Sequence, residues 1–409
     1  MIITQELFNV LLLVALALLF ARALGFLFYK IKQPAVIGEI IAGIILGAIV
    51  ILIFSGQKFY FFDFELPLPF LDFHWSAFEI LAEVGIIFLL FISGLETQLK
   101  KLKKTEKSST FVAIGGVIIP LVLGFLSGLL LGFTIQESII IGLILTATSV
   151  GVTVRTLMDL HFLDTEVGTT ILGAAVIDDV IGIILLAFAL GIESLFDAVS
   201  IGLRIALFFL IFLYLGLKVI DKILALGEKI HLPKAFLSLS LAILLLYSFF
   251  ADKAGISGII GAFVAGILIG QNVRSSKIND DVKAIGYGFF IPIFFVYTGA
   301  RLWEGTNADI SSYGLIFIFA VVIIFVAIIG KIIGCVFGAK ISGMSNIESI
   351  QVGIGMIPRM ELALIIVTTS ISNGIIVGNA AHNILLVTII MTITTTLITP
   401  ILIKATFKS

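Results

Sequence analysis

Five ionisable side chains occupy positions that an apolar helix ordinarily excludes. Asp178 and Asp179 are adjacent in one hydrophobic segment, Lys331 lies in a second, and Arg359 with Glu361 in a third. At the centre of a bilayer each would cost about 2.5–3.5 kcal/mol on an insertion scale, so a purely structural helix does not carry them. A set of salt bridges locking helices together accounts for Lys331 with one aspartate. It leaves the second aspartate unexplained. Adjacent helical residues point about 100° apart, so one aspartate can face Lys331 while its neighbour faces a cavity. Fully ionised, three acids and two bases leave one surplus negative charge, which one monovalent cation or one proton neutralises. A site that takes either but not both is the minimum requirement for exchange.

Two segments near these charges break their own helices. One reads Thr146-Ala147-Thr148-Ser149-Val150-Gly151, the other Gly353-Ile354-Gly355-Met356-Ile357-Pro358-Arg359. Hydroxyls, glycines and a proline interrupt the pattern near the middle of each. Interrupted helices at corresponding places in two halves of a chain point to a midplane ion site between inverted repeats. Freed carbonyls and the Thr146 and Thr148 hydroxyls offer cation ligands, while Arg359 and Glu361 offset the exposed helix dipoles. Each segment taken alone also reads as an ordinary packing kink.

The elements that must hold these residues are membrane spans. Hydrophobic residues make up 60% of the 409 and charged ones 12%, with a mean hydropathy of +1.24, so the solvent is lipid. A net charge of −1 without a basic arm speaks against nucleic acid. One cysteine, Cys335, excludes a disulfide framework, and four scattered histidines (His74, His161, His231, His382) read as surface residues beside loops. Thirteen spans are expected, at 7–29, 34–54, 79–98, 110–132, 137–158, 166–190, 195–218, 236–252, 255–271, 283–301, 312–338, 349–372 and 382–403. The broken segments fall in the fifth and twelfth, an odd separation that runs the two halves in opposite directions. The first apolar run lacks a basic lead and a small-residue cleavage site, so it reads as a span.

Basic residues set the orientation. With the N-terminus outside, the cytoplasmic loops hold Lys30 and Lys32, then Lys100, Lys101, Lys103, Lys104 and Lys107, then Arg155, and later Lys218, Lys222, Lys229, Lys234, Arg274, Lys277, Lys283, Lys340, Lys404 and Lys408. The expected location is the cytoplasmic membrane, multi-pass, with the C-terminus inside. Near the inner ends of the first three spans lie Arg22, Glu39 and Glu96, and Arg22 snorkels or pairs with an acid.

Certain segments resemble a known family. Gln33-Pro34-Ala35-Val36-Ile37-Gly38-Glu39-Ile40-Ile41-Ala42-Gly43 is similar to the second-helix signature of bacterial and archaeal cation:proton antiporters. Leu81 to Phe91, ending Gly94-Leu95-Glu96, resembles their third, and the Thr146–Gly151 and Ala175–Asp179 stretches their fifth and sixth. The nearest group is the NapA-like sodium/proton antiporters, which share a fold with NhaA.

That resemblance implies an all-α, NhaA-like inverted-repeat fold with two crossed broken helices and a homodimer. Residues 1–190 form a first half of panel helices 1–3 and core helices 4–6, and 191–235 a linker helix and loop. Residues 236–301 supply panel helices 8–10, and 302–409 core helices 11–13. The core moves as an elevator past the panel. Asp179 is then the principal carboxylate for Na+ and protons, Asp178 pairs with Lys331, and Thr146 and Thr148 lie in the helix crossing. No cofactor is implied beyond the transported ions. The Asp-Asp pair resembles the electrogenic branch. Gly47-Ala48 departs from the family's usual Gly-Pro, at a packing position.

Potassium/proton exchange uses the same machinery and stays open, because sequence does not fix the site radius. A cation channel needs a multi-site polar path, and this chain offers one compact charge cluster. No His-rich metal motif or nucleophile–base pair supports an intramembrane enzyme. Organic-acid symporters of kindred fold lack the lysine-paired aspartates.

Overall fold

A computed structural model describes residues 2–53, 59–61, 64–66, 71–73, 75–189, 195–229, 234–272, 276–303, 313–359 and 361–407. The chain opens with α1 (Ile2–Lys30) and α2 (Ala35–Ile53), then β1 (Phe59–Phe61) and β2 (Phe64–Leu66), then α3 (Ser76–Glu96). A short α4 (Leu99–Lys104) leads into α5 (Glu106–Leu130), α6 (Ile135–Thr146), α7 (Val150–Asp159) and α8 (Glu166–Ala189). Then come α9 (Leu195–Lys229), α10 (Ala235–Lys253), α11 (Gly258–Gly270), α12 (Ser276–Ile285), a π-helical turn at Gly286–Phe290 and α13 (Ile291–Ala300). The last elements are α14 (Tyr313–Ser342), α15 (Asn346–Gly355), α16 (Glu361–Ser372) and α17 (Gly378–Thr406).

Ten stretches among the described residues are long and apolar enough to cross a membrane, and Gly258–Gly270 and Leu362–Ser372 are apolar but shorter. The expectation of thirteen spans therefore stands in a coarser form, as a polytopic and almost wholly helical protein. Among the described residues the departure from all-α is the strand pair β1–β2, antiparallel with Tyr60 opposite Glu65. Continuous apolar runs explain the helices: α2 has glutamate 39 as its one charged residue, and α14 carries only Lys331 and Lys340 over 30 residues.

Two compact units emerge, residues 1–89 with 283–306, and residues 90–282 with 307–409. In the first, Leu13, Ala17, Ala42, Leu46, Phe78, Ile293 and Val296 form the core between α1, α2, the start of α3, and α13. Arg22 lies 3.9 Å from Glu39 and also donates to the Tyr287 carbonyl in the π-helical turn. A π turn leaves carbonyls without their helical donor, so a guanidinium there has a structural purpose.

In the second unit, Ile140, Ile144, Leu145, Phe319, Ile323, Val367 and Met391 gather α6, α14, α16 and α17 around one core. A close backbone approach in this unit joins α5 to α14. A Cβ on Gly115 would lie 2.2 Å from the Gly334 carbonyl, and one on Gly334 would lie 2.2 Å from the Gly115 carbonyl. Gly330, Gly334 and Gly338 recur every fourth residue, the small-residue stripe that lets membrane helices touch backbone to backbone. Lys331 belongs to this stripe's helix, so the close approach presents its ammonium to α5.

Candidate functional site

The site is built where α6–α7 and α15–α16 each lose helical form. At the end of α6, Ala147 takes φ −55° and ψ 133°, and Ser149 takes φ −104° and ψ 121° before α7 begins. At the other break α15 ends at Gly355 and α16 starts at Glu361. The two extended stretches touch: the Ser149 amide donates to the Pro358 carbonyl at 2.8 Å, and the Thr153 hydroxyl to the Gly355 carbonyl at 2.7 Å. Both broken segments also begin alike. Thr134 with Glu137 caps α6 and Ser345 with Glu348 caps α15, each a reciprocal capping box.

Each break strands carbonyls at the C-terminal end of a half-helix, where the dipole is negative and a cation is favoured. Lys331 serves the first. Its Nζ donates to the Thr146 carbonyl at 2.9 Å, to the Gly116 carbonyl at 2.8 Å and to both Asp178 oxygens at 3.2 Å. Arg359 serves the second. It donates to the Met356 carbonyl at 3.1 Å, to that of Ile357 at 2.7 Å and to that of Ala327 at 3.2 Å. Both cations are 0% exposed. Thr395 and Thr396 of α17 complete the clasp: the Arg359 amide donates to the Thr395 hydroxyl, and Thr396 donates to the Arg359 carbonyl. The hydroxyl-rich run Thr392–Thr396 inside an apolar span is the sequence signal for them.

The two aspartates separate. Asp178 is covered and bound to Lys331, whereas Asp179 is half-buried and lines a small cavity of about 10 Å³ with Leu90, Val150, Leu172, Val176 and Phe263. That volume is the room of about one water molecule. Val150 is the first residue of α7, so the carboxylate shares this cavity with a helix N-terminus, the end that favours negative charge.

The threonines differ. The Thr146 hydroxyl donates back to the Leu143 carbonyl at 2.7 Å, while the Thr148 and Ser149 hydroxyls are buried with no hydrogen-bond partner. The Glu361 side chain lies outside the described residues, as do His74 and His231. His161 is exposed in a loop, and His382 sits half-buried within α17. Among the described residues no group of three or more His, Cys, Asp and Glu side chains has the arrangement of a resident metal site. The arrangement can neutralise a helix crossing with two fixed cations and leave one carboxylate beside open space.

Residues 12–408 match the protein family described as the transmembrane sodium/hydrogen exchanger. The chain is 36% identical to the Na(+)/H(+)-K(+) antiporter GerN of Bacillus cereus over 397 residues, covering 96% of this chain and 95% of that one. It is 35% identical to a Na(+)/H(+) antiporter of Enterococcus hirae, covering 91% of each. Among solved structures, the sodium proton antiporter MjNhaP1 of Methanocaldococcus jannaschii superposes with a TM-score of 0.64 at 20% identity, covering 98% of this chain and 99% of that one. At that identity the likeness concerns the fold alone.

Proposed function

We propose, from the premise that this chain belongs to the transmembrane sodium/hydrogen exchanger family, a family of cation/proton antiporters, that it exchanges Na+ or Li+ for protons at Asp179. The observation that carries the reading is the division of labour between neighbours: Lys331 neutralises Asp178, and Asp179 borders a cavity. An ionised carboxylate is expensive to carry through apolar surroundings. Bound sodium or a bound proton removes that charge, so the loaded forms cross and the empty form does not. Exchange without leak follows.

Thr148 and Ser149 bring hydroxyls without a partner to the crossing, which suits transient cation ligation, and Thr146 adds its oxygen. Arg359 holds the end of α15 throughout the cycle, and Lys331 holds the end of α6 while its pair with Asp178 is intact. A second proton requires that sodium entry break the Lys331–Asp178 pair and release the lysine's proton. Exchange is then electrogenic. Movement of the helices around the crossing past the remaining helices supplies alternating access, in a homodimer of thirteen-span subunits whose lysine-rich loops face the cytoplasm. Potassium is the second reading, favoured by the similarity to a relative named as a Na(+)/H(+)-K(+) antiporter.

The test is reconstitution into liposomes that trap a pH dye, with sodium, lithium and potassium added in turn under a clamped membrane potential. Sodium and lithium are expected to drive proton movement that an opposing potential stimulates. Asp179→Asn is expected to reduce that signal to the level of empty liposomes. Full exchange in the variant would refute the site.

A further inference from the structure

The segment joining α3 to α5 carries Lys100, Lys103, Lys104 and Lys107, all exposed and none with an ion-pair partner among the described residues. Their placement follows from the helix beneath them. The chain passes from α4 into α5 through a one-residue turn at Thr105 that keeps the helical phase: the Thr105 amide donates to the Lys101 carbonyl at 3.1 Å, the Ser109 amide to the Thr105 carbonyl at 2.8 Å, and Leu102 and Ser109 both face Gly173. Side chains three and four residues apart therefore stay on one face. On α5 that face is Phe111, Ile114, Ile118, Val122 and Leu126, from 36% to 52% exposed, an apolar stripe that in a membrane faces acyl chains. Stepping back from Phe111 along it gives Lys107, then Lys103 and Lys104, then Lys100. The lysines thus begin where the lipid-facing stripe ends, at the level of the headgroups.

The opposite face is fastened to protein. Thr105, Ser108 and Ser109 are buried, and Leu102 lies over Gly173 of α8. Lys101, on this side, donates to Asp164 at 2.5 Å to the carboxylate and 3.0 Å to the carbonyl. Glu106 is the one acid among the lysines.

We propose that Lys100, Lys103, Lys104 and Lys107 form a binding surface for the headgroups of anionic phospholipids. A cluster of four basic residues directly beyond a membrane span attracts an anionic leaflet, by up to about fivefold in affinity per lysine. The proposal rests on the membrane-spanning reading alone and not on which ion is carried, so its test reads lipid and not transport.

The purified full-length chain is equilibrated in detergent with equal phosphatidylglycerol and phosphatidylcholine, and the lipids it retains are counted by native mass spectrometry. The native chain is expected to enrich phosphatidylglycerol several-fold, and to lose most of that preference in about 0.5 M salt, which screens exposed charge. K100Q/K103Q/K104Q/K107Q is expected to abolish the preference, and four arginines at the same positions to restore it. Glutamine at Lys340 and Lys404 is expected to leave it intact. Absence of enrichment by the native chain, enrichment that salt does not touch, or undiminished enrichment by the four-glutamine variant overturns the proposal. The first two outcomes need no variant to fold.

Discussion

Lys331 has no exposed surface, yet its ammonium finds two carbonyls and both oxygens of a carboxylate. Removing one member of such a pair leaves the other charge buried alone, at a cost of about 3–5 kcal/mol, whereas neutralising both costs much less. Lys331→Met is therefore expected to lower the thermal unfolding midpoint in detergent well below that of the double variant Lys331→Gln with Asp178→Asn. Equal losses would mean that the pair carries no charge worth compensating. The sequence made the anomaly legible, since charged residues in apolar runs stand out at once. Residue types and spacing left open which aspartate meets Lys331, because adjacent helical positions differ only in direction and direction needs a partner. The same limit hid Thr395 and Thr396, whose hydroxyls matter only because another helix brings Arg359 to them.

Backbone contact sets how α5 and α14 hold the site. With 2.2 Å between a built Cβ and the facing carbonyl, Gly334→Ala must push the helices apart, an overpacking cost of about 1–3 kcal/mol. The shift would also draw Lys331 away from the Gly116 carbonyl. Gly288→Ala, where nothing lies within 4 Å of the added carbon, is expected to leave both stability and exchange near the native level. Thermal unfolding and initial exchange rates of the two variants check this; equal damage from both would remove the contact as an explanation. Helix positions were readable from apolar run length, and the two breaks from their glycines, hydroxyls and proline. The short α4 and the strand pair β1–β2 were not. Their residues lie between long apolar runs, where six-residue and three-residue elements leave no periodicity to count.

At the scale of the whole molecule, the proposed orientation rests on the distribution of basic residues. A cysteine replacing Lys104 is expected to react with an impermeant maleimide in inside-out vesicles and not in right-side-out ones; the native Cys335 is buried and adds little background. The reverse pattern would invert the topology. Orientation tells where ions enter, but the account stands or falls on cation and proton sharing one carboxylate. Sodium binding to the purified chain, measured by calorimetry at a series of pH values, tests that sharing most directly. If one proton must leave for each sodium bound, the apparent Kd rises roughly tenfold for every pH unit below the carboxylate's own pKa. It rises roughly a hundredfold if two protons must leave. Asp179→Asn is expected to bind no sodium at any of these pH values. A sodium affinity that does not change with pH, or that survives in Asp179→Asn, would contradict the account.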